Sequence, residues 1–381
     1  MNKKVLMAEM LEFQSEYTVG SHHYANLFSK NGYEVLWLGP IFNKIYSIKN
    51  KEIYLQRKSN SGKNIHKVKE NIFSYSPYSY CLYGNYFGFK SKFANKLSIK
   101  LTKPFLKNVL KISGFDKVDI LWITNVKYKP LIELIEYKKL IYRCSDDISG
   151  FENCCSTMIE LEESIIKKAD IVFATARNLV EKKKYLRSDI KYLPNGVELS
   201  NFQKEEYNLP HEFIGDKQKK CIYVGAIEKW FDIELMCKVC SELKDVNFYI
   251  VGPIKIELSK LEKLKNVFLL GKKPYNEIPN YIYYSDVAII PFKVNELTNS
   301  ITPIKLFEYM SLGKDVVSTN FKEMKYLNSP AFLSNNTEDF INNIRLALEY
   351  TSERSKKNIN FAKESSWDAR FDYVKKTINR K

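Results

Sequence analysis

The sequence contains no run of about 18 apolar residues, so no segment is expected to form a membrane-spanning helix. It contains no GxGxxG, which removes a dinucleotide fingerprint from the first loop, Glu12 to Gly20. Its cysteines, at 81, 144, 154, 155, 221, 237 and 240, form no CxxC...CxxC framework. Cys237 and Cys240 are a CxxC, but they fall inside the helical pattern DIELMCKVCSEL, which points to packing rather than zinc or redox chemistry. Zinc-finger spacing, an aromatic RNP pattern and a helix-turn-helix are all missing, so no nucleic-acid partner is expected. Acidic residues are in short supply: 44 against 60 basic ones give a formal charge of +16, which favours anionic lipid or phosphorylated small molecules as partners.

The N-terminus, MNKKVLMAEMLEF, places basic residues before an apolar stretch, but Glu9 and Glu12 interrupt it and no small-residue cleavage site follows. It reads as a first strand rather than a signal peptide, and the chain is expected in the cytosol with reduced thiols. At 381 residues the chain is too long for one ordinary core and suggests two domains. The pattern supports this. A strand at 3–10, a helix at 21–30 and a strand at 34–38 make a βαβ crossover. Strands at 118–124, 140–144, 170–175 and 190–193 then alternate with helices at 130–137, 156–168 and 176–186, as in a parallel sheet covered on both faces. Pro194-Asn195-Gly196 closes this half, giving a first domain over 1–200 and a polar linker over 201–218. A second α/β domain follows over 219–351, with strands at 220–226, 246–251, 267–270, 287–292 and 315–319. A last helix, about 352–379, is expected to pack back on the first domain. Between residues 51 and 85 only a hairpin is suggested, followed by the aromatic stretch SYSPYSYCLYGNYFGF, which suits either a sugar-stacking surface or a packed loop.

The stretch YIYYSDVAIIPFKVNELTNSITPIKLFEYMSLGKDVVST, residues 281–319, carries the densest chemistry. A buried strand leads through a polar loop to a helix starting near Pro303. The N-terminus of such a helix has unpaired N–H groups and a dipole that favour an anion. Asn299, Ser300, Ile301, Thr302 and Pro303 build that end, with Thr302 as the expected cap and Lys305 in the first turn. A cation there conflicts with the dipole, and an anion between them would remove the conflict. Glu308 shares the face of Lys305 and can accept both hydroxyls of a ribose. The residues alone also fit a surface helix with a Lys-Glu pair. In the first domain, Asp146 and Asp147 follow a strand end and serve either as a general base or as caps of the next turn. His22 and His23 begin the first helix, facing an acceptor, a phosphate or solvent. The segment Lys90 to Lys111, KSKFANKLSIKLTKPFLKNVLK, reads as a basic amphipathic helix for an anionic membrane face, or as a solvated lysine-rich helix.

Four phrases in order, YLPNGVELSNF, CIYVGAIEKWFD, GKKPYNEIPNYIYYSDVAIIPFKVNEL and TPIKLFEYMSLGKDVVST, resemble GT-B glycosyltransferases. The likeness is to bacterial cell-surface polysaccharide enzymes of the teichuronic-acid and glycosyltransferase-4-like kind. RCSDDISGFENCCSTMIELEESIIKKADIVFATARNLVEKK resembles the segment that group carries before its PNG turn. The resemblance implies an α/β, GT-B fold of two Rossmann-like parallel-sheet domains facing a central cleft. It implies a nucleotide-sugar donor, a UDP-sugar by that likeness, held by the second domain, and a lipid-linked saccharide acceptor on the first, near His22 and His23. Gly225, Lys229, Ser300, Thr302, Lys305 and Glu308 become donor-binding candidates, with Lys305 on the diphosphate and Glu308 on the ribose. Pro274 and Tyr275 fall in the loop that borders the base. Many members carry two glutamates eight positions apart, whereas here Ser300 stands first and Glu308 second. Asp146 or Asp147 would be the base of an inverting reaction, and a retaining one needs none. No cofactor or metal is expected, since no DxD stands where a metal-held donor would need it. A nucleotide-sugar epimerase on the same scaffold and a non-catalytic glycan or anion binder are the competing functions.

Overall fold

The computed structural model describes residues 3–15, 18–81, 83–85, 88–151 and 154–380. Leu82, Tyr86 and Phe87 of the aromatic stretch, and Glu152 and Asn153 of the ENCC phrase, lie outside these. Two compact units form, one from the N-terminus through Leu193 together with the residues from Tyr373 onward, the other from Pro194 to Asp372.

The first unit is built on an eight-stranded sheet: β1 (Lys3–Ala8), β2 (Tyr33–Leu38), β3 (His66–Lys69), β4 (Ile72–Tyr75), β5 (Lys117–Ile123), β6 (Glu136–Cys144), β7 (Ile171–Ala174) and β8 (Lys191–Tyr192). The order is β3-β4-β2-β1-β5-β6-β7-β8, and all pairs are parallel except the edge hairpin β3-β4. The four carboxyl-terminal residues of β1, Val5 to Ala8, are wholly buried, because helices cover both faces and nothing polar is tolerated there. The order changes direction between β1 and β5, and ligands of open α/β sheets gather beyond such a point.

The second unit has six parallel strands: β9 (Lys219–Val224), β10 (Val246–Val251), β11 (Val267–Gly271), β12 (Val287–Ile290), β13 (Asp315–Thr319) and β14 (Phe332–Ser334). Their order, β11-β10-β9-β12-β13-β14, puts its own switch point between β9 and β12. Phe202 and Phe213, in the stretch between the two sheets, are buried in this second core. Cys240 is buried on its helix and Cys237 half-buried, as the apolar pattern requires.

Three elements differ from the sequence expectation. The helix expected over 130–137 is one turn, Leu131–Leu134, because the alternating EYKKL is taken into β6 beside β5. The basic segment is two helices, Lys92–Lys100 and Leu106–Ile112, since Pro104 offers no N–H and restricts the residue before it. The final helix is also two, Ser352–Glu364 and Trp367–Asn379. At the break, Val197 N–H donates to Ser365 O at 3.2 Å and Trp367 N–H to Val197 O at 3.1 Å. A Cβ on Gly196 would lie 2.8 Å from Ser365 O, so the PNG turn needs glycine for this close approach. Among the described residues no helix is long and apolar enough to cross a membrane.

Candidate active site

In the second unit the loops leaving β9 and β12 open together at the switch point. The helix Ile304–Ser311, reached from β12, is pinned to β9 through one side chain. Val224 N–H donates to the Tyr309 hydroxyl at 2.7 Å, and that hydroxyl lies 3.3 Å from Val224 O. The bond places Lys305, one turn earlier, against Gly225. A Cβ on Gly225 would stand 3.0 Å from Lys305 Cε and 3.2 Å from its Nζ, and the residue's φ of +147° disfavours any side chain. Gly252 sits directly beside it: a Cβ there would overlap Gly225 O at 2.0 Å. The carboxyl ends of β9 and β10 are thus a bare backbone floor beneath Lys305.

The Lys305 ammonium lies 4.7 Å from the Phe292 ring centroid and 5.4 Å from that of Tyr223. Among the described residues it makes no hydrogen bond or ion pair. Burial lowers its pKa to about 8, with the charge of Glu308 opposing. Glu308 accepts from the Tyr275 hydroxyl at 3.3 Å, and burial raises its carboxyl to about 7 against the pull of Lys305. So Tyr275, Glu308, Lys305 and Gly225 are brought into one group.

The remaining candidates of this unit are placed differently. Pro303, not Thr302, occupies the cap of the helix; the buried Thr302 hydroxyl donates to Glu323 at 3.2 Å. The sequence rule favours threonine at the cap, but a fully buried Glu323 gives that hydroxyl a better acceptor. Ser300 is buried at the end of the short turn Thr298–Ser300, its hydroxyl 3.4 Å from Glu296 O. Lys229 is exposed in the turn that follows Ile227.

In the first unit the two aspartates have separate surroundings. Asp147 caps the turn Ile148–Gly150, accepting from Ser149 N at 3.2 Å and Ser149 Oγ at 2.6 Å, and pairs with Lys182 at 2.9 Å. Burial raises its pKa, but these bonds outweigh it and hold the carboxyl below its ordinary value. Asp146 has no such cluster. Burial raises its pKa, tempered by Ser145 and by the charge of Arg143. Arg143 is buried on β6 with its guanidinium 5.4 Å from the Tyr24 ring centroid.

The histidines also separate. His22 Nδ1 accepts from Val19 N–H at 3.0 Å, so the hydrogen is on Nε2, which lies 3.1 Å from Phe13 O. Its ring lies 4.5 Å from Trp37, centroid to centroid. Both nitrogens are therefore used within its own loop. His23 is half-buried, and burial, then the charges of His22, Arg143 and Lys69, lower its pKa to about 4, leaving a neutral imidazole at pH 7.

Glu9, just beyond β1, was not among the expected site residues. It is buried, accepts from Thr124 Oγ1 at 3.0 Å and bonds Ser21, and burial raises its carboxyl to about 7. Glu9, Thr124 and the start of the helix Gly20–Lys30 thus meet at the switch point between β1 and β5. The signal was legible: a carboxylate closing an apolar strand must be either a strand end or a buried partner. Among the described residues no three His, Cys, Asp or Glu side chains gather as metal ligands would.

Comparison with known proteins places this geometry. Residues 218–349 match the family described as glycosyl transferases group 1. Over 297 residues the chain is 25% identical to a Bacillus subtilis (strain 168) protein assigned by name to teichuronic acid biosynthesis, the glycosyltransferase TuaH, covering 72% of this chain and 75% of that one. Among solved structures, sucrose-phosphate synthase from Thermosynechococcus elongatus superposes with a TM-score of 0.71 at 11% identity, covering 98% of each chain. HepE of Anabaena, solved with UDP and glucose, gives 0.66 at 13% identity over 99% of each.

Proposed function

We propose that this chain, which carries a glycosyl transferases group 1 domain at 218–349 within a GT-B fold, moves a sugar from a UDP-sugar to a hydroxyl of a lipid-linked or cell-surface glycan. The observation that carries the reading is Lys305: a half-buried cation with ring faces and bare glycine backbone around it, and, among the described residues, no counter-charge bonded to it. Such a charge is costly unless an anion arrives, and a diphosphate is an anion of the right kind. Glu308, held by Tyr275, then takes the ribose hydroxyls. In the transfer, the acceptor oxygen bonds to the sugar's anomeric carbon as the bond from that carbon to the diphosphate oxygen breaks. Asp146 takes the hydroxyl proton, and charge developing on the leaving diphosphate falls to Lys305, the helix start and Lys229. These groups fill the part that a metal ion plays elsewhere. The HepE complex with UDP and glucose, and the teichuronic acid name of TuaH, support the donor class and the polysaccharide setting.

The test is a panel of nucleotide sugars scored by thermal stabilisation of the whole chain. A ligand at about 100 times its Kd stabilises by about 2.7 kcal/mol, so the preferred base and sugar emerge together. UDP-sugars are expected to raise the midpoint. A panel in which no nucleotide sugar does so sinks the reading, and turnover of a UDP-sugar without acceptor would replace it with epimerisation.

Peripheral attachment to an anionic bilayer belongs to the same reading. Lys90 to Lys111 holds seven lysines and no acid. Phe93 and Ile112 on the two helices and Phe105 at the cap of the second are 70%, 74% and 60% exposed, interleaved with those lysines, while Ala94, Ile99, Leu106 and Leu110 face the core. Lys92 and Lys96 pair with Glu160 and Glu133, and among the described residues the other five lysines form no ion pair. Each lysine at such a surface contributes about 1 kcal/mol and inserted rings add to it. Vesicles containing phosphatidylglycerol are expected to sediment the protein and neutral vesicles not, with F93S/F105S losing at least about tenfold in binding. Equal binding of the double variant would remove the surface from the proposal.

A further inference from the structure

The first unit holds a buried ion pair, Glu162 with Lys183, that has no part in the chemistry above. Glu162 is fully buried on the helix Ser156–Lys168 and accepts from Lys183 Nζ at 2.6 Å and from the Tyr142 hydroxyl at 2.8 Å. Lys183 ends the helix Arg177–Lys183 and is itself buried. Burial lowers its pKa, but the charge and hydrogen bond of Glu162 outweigh that and keep the ammonium charged. Taking two charges out of water often costs more than their attraction returns, and well-packed apolar replacements commonly leave stability unchanged or improved. A pair at this depth is therefore weakly explained by stability, and its position becomes the informative fact.

The pair lies directly behind the loop that carries Asp146, and the carbonyls along the path of that loop are held one after another. Thr175 N–H donates to Cys144 O at 3.0 Å, Thr175 Oγ1 to Ser145 O at 2.8 Å and Gly150 N–H to Asp147 O at 3.0 Å. The Cys144 thiol lies 3.6 Å from Asp146 O and 3.5 Å from Glu162 Oε1, so its one hydrogen is placed between the loop carbonyl and the buried carboxylate. Burial, then the charge of Glu162, keep that thiol protonated. Beside Lys183, Lys182 pairs with Asp147 at 2.9 Å. One buried carboxylate thus touches Tyr142 and Cys144 on β6 and, through Lys183, the helix whose neighbouring lysine holds Asp147.

We infer that Glu162 is a positioning residue: with Lys183 it clamps the end of β6 and the helix Arg177–Lys183 into one body, and so fixes where the Asp146 carboxylate stands. The inference rests on the proposed part of Asp146 as base in glycosyl transfer, while the clamp is a claim about the loop itself. Misplacing a reacting group by about 1 Å costs about a hundredfold in rate. Loss of the clamp therefore falls on kcat and spares donor affinity, since the donor candidates belong to the second unit.

The test combines Tyr142→Phe, Glu162→Leu and Lys183→Met in the full chain, which removes both charges together and leaves neither buried alone. The thermal midpoint and the stabilisation by a UDP-sugar are expected to match the wild type, which reports a folded variant. The kcat is expected to fall at least about tenfold with the KM for the UDP-sugar unchanged. Amide hydrogen exchange over residues 145–151 is expected to quicken at least about tenfold while that of 140–143 stays slow. Cys144→Ala leaves the pair intact and removes only its link to the Asp146 carbonyl; it should show the same split with a smaller loss, and it decides the matter if the triple variant does not fold. Wild-type kcat in the folded triple variant, or in Cys144→Ala where the triple variant does not fold, overturns the inference. An Asp146→Asn enzyme that keeps its activity would instead strike the base reading. Exchange over 145–151 then decides the clamp alone, faster exchange upholding it and unchanged exchange overturning it.

Discussion

Lys305→Met is expected to make the free protein more heat-resistant and to cost about ten- to a hundredfold in affinity for a UDP-sugar at pH 7, the span of a hydrogen bond to a charged group. The opposite signs follow from one feature. Burial holds the folded-state pKa of Lys305 at about 8, below its ordinary 10.5. Between these values the unfolded chain binds more protons, so this lysine's penalty is in full force below about pH 8 and is relieved as pH rises towards 10.5. A shift of this size corresponds to about 3 kcal/mol, less after allowance for its partial contact with solvent. Methionine keeps the stem and removes the charge, so stability rises while the anion loses its partner. Affinity should carry the same signature. Above pH 8 the ammonium must be reprotonated to meet a diphosphate, and binding is expected to weaken by about tenfold per pH unit. Below about pH 7 Glu308 gains a proton and loses its capacity to accept both ribose hydroxyls. The affinity profile is therefore a narrow peak between pH 7 and 8, measurable by calorimetry. Lys305→Arg, charged throughout, should abolish the alkaline limb. A flat profile in the wild type, or a Met variant that binds as tightly, would leave the cation without a role.

Much of the scaffold was legible from periodicity alone. The strands Val246–Val251 and Asp315–Thr319 have the predicted bounds because each is a buried run ended by a glycine or polar residue, and the helix Ser156–Lys168 has them because Leu161, Ile165 and Ile166 recur on one buried face. The GT-B fold followed from four phrases in order. Legibility ended where a residue's partner is remote in sequence. Tyr309 reads as one more apolar position on its helix, yet its hydroxyl bonds Val224, 85 positions away, and so sets where Lys305 stands. Glu162 reads as a surface carboxylate in LEESIIKK. It is fully buried, accepting from Lys183 at 2.6 Å and Tyr142 at 2.8 Å. Thr302 was expected at a cap by local rules that take no account of Glu323. Local pattern reports which face is inward, whereas the polar partner waiting inside depends on topology.

Topology also separates the neighbours Asp146 and Asp147, and their variants should differ in kind. Asp146→Asn is expected to lower kcat by about 10² to 10⁴, the usual contribution of a general base, with UDP-sugar affinity unchanged because the donor candidates belong to the second unit. Asp147→Asn should act mainly on stability, losing about 0.5–2 kcal/mol as its cap and its pairing with Lys182 weaken. The pH profile divides them further. Burial raises the pKa of Asp146, so the fraction in the ionised, proton-accepting form falls as pH drops through that raised value, and the acid limb of kcat should lie higher than an ordinary aspartate gives. Asp147, held below its ordinary value, stays ionised throughout that range and cannot produce the limb. An Asp146 base on the acceptor hydroxyl also entails single displacement, so the product should have the anomeric configuration opposite to the donor's, which NMR of the glycoside reads directly. Retention of configuration with an active Asp146→Asn enzyme would show that no base is used and would move Asp146 from the reaction to the structure of its loop.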